Sequence, residues 1–188
     1  MGLTDDEWDR PALIGAPHAV DQAHFVAAPL LAGAAIATAG LLGADGGRFR
    51  WPGPAMLCFT LASIFLIASV QLAFRGRSFL YTPAELHDWW KGVHPPSQTV
   101  LQDEHRADME QWRRWVGRAG DAYNLGVVCL GLGAIGLLAP PANASTGHAL
   151  MRWLAVAAAA VATAWELITA IRDRVKDRLS RPSRRGSR

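Results

Sequence analysis

AMLCFTLASIFLIASVQLAF, residues Ala55 to Phe74, decides the fold. It runs for twenty residues without a charged side chain. At roughly 1.5 Å per residue, that length covers a hydrocarbon core of about 30 Å. A long helix in a water-soluble core keeps a polar stripe on its outer side, and this run has none. It reads as a transmembrane helix.

Three more runs join it. Phe25 to Gly43 is uncharged and Ala-rich, Tyr123 to Ala139 is uncharged and Gly-rich, and Trp153 to Ile171 carries only Glu166. The fold class that follows is all-α and polytopic, with spans at about 25–43, 55–74, 123–139 and 153–171. The chain then divides into an acidic N-terminal segment (1–24), a first transmembrane hairpin (25–75), an amphipathic helical segment (76–120), a second transmembrane hairpin (121–172) and a basic, disordered tail (173–188). Asp5, Asp6, Glu7 and Asp9 outweigh Arg10 near the start, the reverse of a basic leader, so no cleavable signal peptide is expected. MGLTDD also departs from the myristoylation pattern, because position 6 is Asp.

Lys and Arg in the loops set the orientation. The segment from Arg75 to Arg118 holds seven basic residues, and the stretch from Arg172 onward holds eight. The Gly43–Pro54 loop has Arg48 and Arg50, and the Pro140–Leu150 loop has none. Four spans put the two basic segments on one side. The expectation is a cell inner-membrane protein of bacterial composition with both termini cytoplasmic. The sequon at Asn143-Ala144-Ser145 falls in a short outer loop and is not expected to carry a glycan.

GLGAIG, Gly131 to Gly136, matches a dinucleotide-binding pattern letter for letter. That pattern works only between a strand and the start of a helix. Here an apolar helix passes through it and Pro140-Pro141 ends that helix. The glycines instead suit close helix packing: Gly126 and Gly133 lie seven apart on one face. Gly33 with Ala37, and Ala155 with Ala159 and Ala162, can pack likewise, within the bundle or in a homodimer. Cys58 and Cys129 are isolated, without a CxxC or lipobox, and no cofactor is expected.

Ionisable groups inside spans are functional candidates because lipid makes them costly. Glu166 lies six residues, roughly 9 Å of helix, inside Arg172. His24, Gln71, Asp121 and Asn124 fall at similar depth in the other spans. Together they form a candidate polar layer on the cytoplasmic side, suited either to holding a cation or proton or to fixing helix register.

Between the second and third spans, Thr82-Pro83-Ala84-Glu85 has the form of a helix start with a capping box. That helix should end near Lys91, ahead of Gly92 and Pro95-Pro96. Leu86, Trp89 and Trp90 form its apolar side. A second amphipathic helix begins near Ser97, presents Met109, Trp112 and Trp115, and runs into the third span with a bend expected at Gly117 and Gly120. His87, Asp88, His94, Glu104, His105 and Asp108 do not have zinc-site spacing, and no metal is expected. Ser78 and Ser97 lack a nucleophile motif. Leu86, Trp89, Trp90, Trp112 and Trp115 are therefore the candidate surface for lipid or a partner protein.

The tail RDRVKDRLSRPSRRGSR makes Arg172, Arg174, Lys176 and Arg178 candidates for anionic headgroups. It lacks aromatic platforms, so nucleic acid is not an expected partner. With no catalytic constellation, the leading expectation is a non-catalytic membrane scaffold or accessory subunit that docks a membrane or cytoplasmic protein. The alternatives are a small homo-oligomeric channel or transporter built on the Glu166 layer, and an enzyme acting on lipid headgroups.

Overall fold

The computed structural model describes residues 16–91, 97–141 and 145–179, and its regular elements are all helical. They are α1 (Ala16–Gln22), α2 (Ala28–Ala44), α3 (Pro52–Arg77), α4 (Pro83–Trp89), α5 (Gln98–Leu138) and α6 (Thr146–Leu179), with a π turn at Ala23–Ala27 and a 3₁₀ turn at Gly46–Arg48. Four stretches are long and apolar enough to cross a membrane: Pro17–Ala44, Pro52–Arg77, Thr99–Leu138 and Thr146–Arg172. This is a multi-pass membrane protein. The acidic start (1–15), His94, Asn143 of the sequon and the tail from residue 180 lie outside the described residues.

Proline placement explains the local breaks. Pro29 has no N–H, so the carbonyl of Phe25 loses its i+4 donor and the ring crowds that turn. The chain widens just ahead of it into the π turn, where the Ala28 N–H reaches back five residues to the Ala23 carbonyl. Pro52 and Pro54 sit in the first turn of α3, where a missing N–H costs no helical bond. Pro140 and Pro141 follow α5 and stop it.

The helices form a chain of neighbours: α3 packs on α2 and α5, and α6 packs chiefly on α5. On α3, Ala55, Phe59, Ala62, Ser63, Leu66, Ser69, Ala73 and Gly76 form the buried face, repeating every three or four residues. Ser63 and Ser69 donate to the carbonyls of Thr60 and Leu66, so neither hydroxyl is left unpaired in the apolar interior.

Glycines set the spacing between helices. A Cβ on Gly126 would lie 2.8 Å from Leu66 Cγ, and one on Gly133 would lie 3.1 Å from the Phe59 ring. One on Gly136 would come within 3.1 Å of Ala55 Cβ, and one on Gly131 would overlap Thr163 of α6. The GLGAIG segment thus packs on both sides at once, with Gly133 and Gly136 toward α3 and Gly131 toward α6. Small residues here let backbones approach closely.

Within one chain, two of the small-residue faces are only partly used or not used. Gly33 and Ala37 are exposed, and α2 instead buries Ala28, Ala32, Ala35 and Leu42. On α6, Ala155 and Ala159 are half-buried, but Ala162 faces outward. An Ala-rich helix is apolar all round, so its sequence does not say which face packs. The helix α5 runs without interruption through Gly117 and Gly120, and a Cβ at either would meet nothing within 4 Å.

Candidate functional site

The polar side chains concentrate where α3 ends and α5 emerges from its apolar stretch. His24 is buried on the π turn, edge-on to the Tyr123 ring with centroids 5.7 Å apart, and its Nδ1 has no hydrogen-bond partner among the described residues. Beside it, Arg77 pairs with Asp21 at 3.1 Å and its guanidinium stacks over Phe25. These contacts tie the π turn to the end of α3.

Five residues from Gly76, the chain has left α3 and Tyr81 lies against α5. Its hydroxyl donates to Asp108 Oδ2 at 2.7 Å, and its ring meets His105 at 5.4 Å between centroids. His105 is buried, as are Met109, Trp112 and Ala119, which continue its stripe along α5. Burial pushes the Tyr81 hydroxyl well above its ordinary range, and the hydrogen bond to Asp108 and the charges of Asp108 and Glu104 add to that. A phenol held this firmly protonated is a donor, not a base, and it latches the α3–α4 connection to α5.

The helix α4 starts as its sequence requires. The Thr82 side chain accepts from the Glu85 N–H at 3.2 Å, and Glu85 Oε2 accepts from the Thr82 N–H at 2.6 Å. These bonds hold the Glu85 carboxyl below its usual range. Trp89 is 84% exposed, whereas Leu86 and Trp90 are half-buried. Trp112, by contrast, is 7% exposed and belongs to the core. Trp115 is half-buried, with the guanidiniums of Arg75 and Arg118 both over its ring.

The residues of the candidate polar layer do not converge within one chain. Among the described residues, no hydrogen bond joins any two of His24, Gln71, Asp121, Asn124 and Glu166. Asp121 bonds to Arg174 at 2.7 Å, so one candidate of the layer neutralises one candidate of the basic tail. Asn124 is half-buried. Gln71 is exposed on the outer stripe of α3 with Ile64, Ile67 and Phe74. Glu166 is exposed on α6 in a shallow open groove with Ala157, Ala158, Val161, Ala162 and Trp165. Arg172 is exposed, and the side chains of Lys176 and Arg178 lie outside what the structure describes. No three His, Cys, Asp or Glu side chains among the described residues are grouped to hold a metal ion.

Arg152 is the residue that sequence reasoning overlooked, because it falls between the loop and the start of the fourth apolar run. Its Nη2 donates to the Leu137 carbonyl at 2.9 Å and its Nε to the Leu138 carbonyl at 3.0 Å. These are orphan acceptors at the end of α5, and a guanidinium fork fits two adjacent carbonyls. The only signal in the sequence is a lone cation opposite a helix end closed by Pro-Pro. No protein-family model, curated protein or solved structure significantly matches this chain.

Proposed function

We propose that this chain is a non-catalytic scaffold or accessory subunit of a cell inner membrane, with both termini and the α4–α5 hairpin on the cytoplasmic side. The observation that carries the reading is the open flank of α6. No residue from Thr146 to Arg172 is fully buried, and the groove on that flank combines small side chains with the carboxylate of Glu166. Lipid can fill the groove but cannot hydrogen-bond the carboxylate, whereas a docked helix can do both. The exposed indole of Trp89 offers a second contact at the cytoplasmic surface, and with Leu86 and Trp90 it makes the docking edge. Trp112 is buried in the core instead.

The test is affinity purification of the full chain in mild detergent, with mass spectrometry of the proteins retained. A stoichiometric partner lost in Trp89→Ala or Glu166→Gln, with helicity unchanged, is the expected result. Retention of the same protein by both variants would remove these surfaces as docking sites.

A homo-oligomeric channel or transporter is the second reading, favoured by one relationship. Gln71 lies four residues inside Arg75 and Glu166 six inside Arg172, so both side chains leave the bundle at similar depth. Thr38 and Thr60, the exposed hydroxyls on α2 and α3, bond to their own helices, whereas Gln71 and Glu166 have no such partner among the described residues. Copies arranged head to tail would join the two and rebuild a polar layer across subunits. Cysteines at 71 and 166, with Cys58 and Cys129 replaced by Ala, should then cross-link between copies. Glu166→Gln should also abolish ion flux in liposomes. A monomer without flux excludes this reading.

A further inference from the structure

At the end of the bundle where α3 stops, the arginines differ in what they meet. Arg77, Arg106, Arg114 and Arg174 each lie against a carboxylate, those of Asp21, Asp103, Glu110 and Asp121 in turn. Arg75 and Arg118 have no such partner among the described residues. Each instead sits over the same indole, with its guanidinium carbon 5.7 Å (Arg75) or 5.3 Å (Arg118) from the centroid of Trp115.

The backbone explains how two cations come to share one ring. A Cβ on Gly76 would lie 3.1 Å from Trp115 Cβ, so α3 and α5 touch at this point. Arg75 precedes that glycine on α3, and Arg118 follows Trp115 by three residues on α5, which places it on the same side of the helix. The ring attracts each cation through its quadrupole but neutralises neither. Two like charges are therefore held together, and among the described residues neither is paired with a carboxylate.

The level of this pair along the bundle indicates which anion it would meet. The apolar run of α3 ends at Phe74, one residue before Arg75, so the ring and both guanidiniums stand at the boundary of the hydrocarbon. Tryptophan favours that layer, and the abundant anion within it is the lipid phosphate. We propose that Arg75, Arg118 and Trp115 form a site for the phosphate of an anionic phospholipid headgroup. The guanidinium forks take the phosphate oxygens, and the indole packs beside the glycerol and upper acyl chain. The proposal rests on membrane embedding alone, whatever the partner or transport role.

The test uses the full chain in nanodiscs of phosphatidylcholine doped with phosphatidylglycerol. Native mass spectrometry after release into mild detergent then counts the phosphatidylglycerol retained. Wild type should keep a bound molecule, and Arg75→Gln and Arg118→Gln should each weaken it about fivefold, the usual scale for one basic group at an anionic surface. Arg106→Gln removes one charge from a paired position and should leave retention unchanged. Circular dichroism checks the fold, and the double Lys variant, which keeps both charges, should hold more phosphatidylglycerol than the double Gln variant. The proposal is overturned if the double Gln variant binds like wild type, if Arg106→Gln costs as much as Arg75→Gln, or if the two double variants bind equally. Displacement by millimolar inorganic phosphate would assign the site to a free anion and overturn the lipid assignment.

Discussion

Arg174 donates from Nε to Asp121 Oδ1 at 2.7 Å across 53 residues of sequence, joining one end of α6 to α5. At the other end, Arg152 binds the Leu137 and Leu138 carbonyls. Between them, Thr163 rests on Gly131. The helix α6 is thus held to α5 at three levels, of which the two ends are polar and the middle is steric.

The Asp121–Arg174 pair is about half exposed on both sides, so solvent screens it and it contributes at most ~1 kcal/mol. Arg174→Asp should lower stability slightly, and adding Asp121→Arg should recover most of the loss. Denaturation of the single and double variants in detergent, analysed as a double-mutant cycle, reads the coupling directly. A coupling that persists unchanged in molar salt would contradict an exposed ion pair.

Arg152→Gln should cost more. It leaves two carbonyls at the end of α5 without their charged donor, and hydrogen bonds to charged groups contribute roughly 1.5–3 kcal/mol each in favourable settings. Half-burial of Arg152 places the expected loss near the lower figure. Thermal unfolding followed by circular dichroism checks it, with Arg172→Gln as an exposed control that should change little.

Glycine-to-alanine changes should split by sign. At Gly126 and Gly131 the new methyl collides with Leu66 or Thr163, and overpacking costs about 1–3 kcal/mol. At Gly117 and Gly120 the space is open, so Ala should stabilise the helix by roughly 0.5–1 kcal/mol. Unfolding midpoints of the four variants decide the matter. Stabilisation at Gly131 would show that α6 does not pack where the structure puts it.

Tyr81→Phe should lose the bond to Asp108, a change of order 1 kcal/mol. The pH dependence carries a sign. Burial and Asp108 raise the folded pKa of Tyr81 above its ordinary 10.0, so its contribution is complete below pH 10 and is lost as pH rises through the folded value. Wild type should therefore lose stability above pH 10 more steeply than Tyr81→Phe. Ultraviolet titration should show Tyr81 ionising late, and a Tyr81 that titrates at the ordinary value would contradict the latch.

Much of this was legible in the residues alone, for reasons that can be named. Hydrocarbon thickness converts an uncharged length into a span, so Ala55 to Phe74 identifies α3 without any partner. The Thr82–Glu85 capping box is local chemistry over four residues, and it forms as read. Gly126 and Gly133 signal close approach because lipid gives helices no other strong reason for small residues at that spacing.

Only the tertiary structure decided the rest. An Ala-rich helix is apolar on every side, so the choice of Ala28, Ala32 and Ala35 over Gly33 and Ala37 depends on where α3 lies. Trp112 and Trp89 look alike in sequence, yet one lies in the core and the other is almost wholly exposed. Asp121 meets Arg174, Arg75 and Arg118 meet over Trp115, and Glu166 faces away from its own bundle. Sequence periodicity places residues along a helix and around it, but only packing between helices brings distant side chains together.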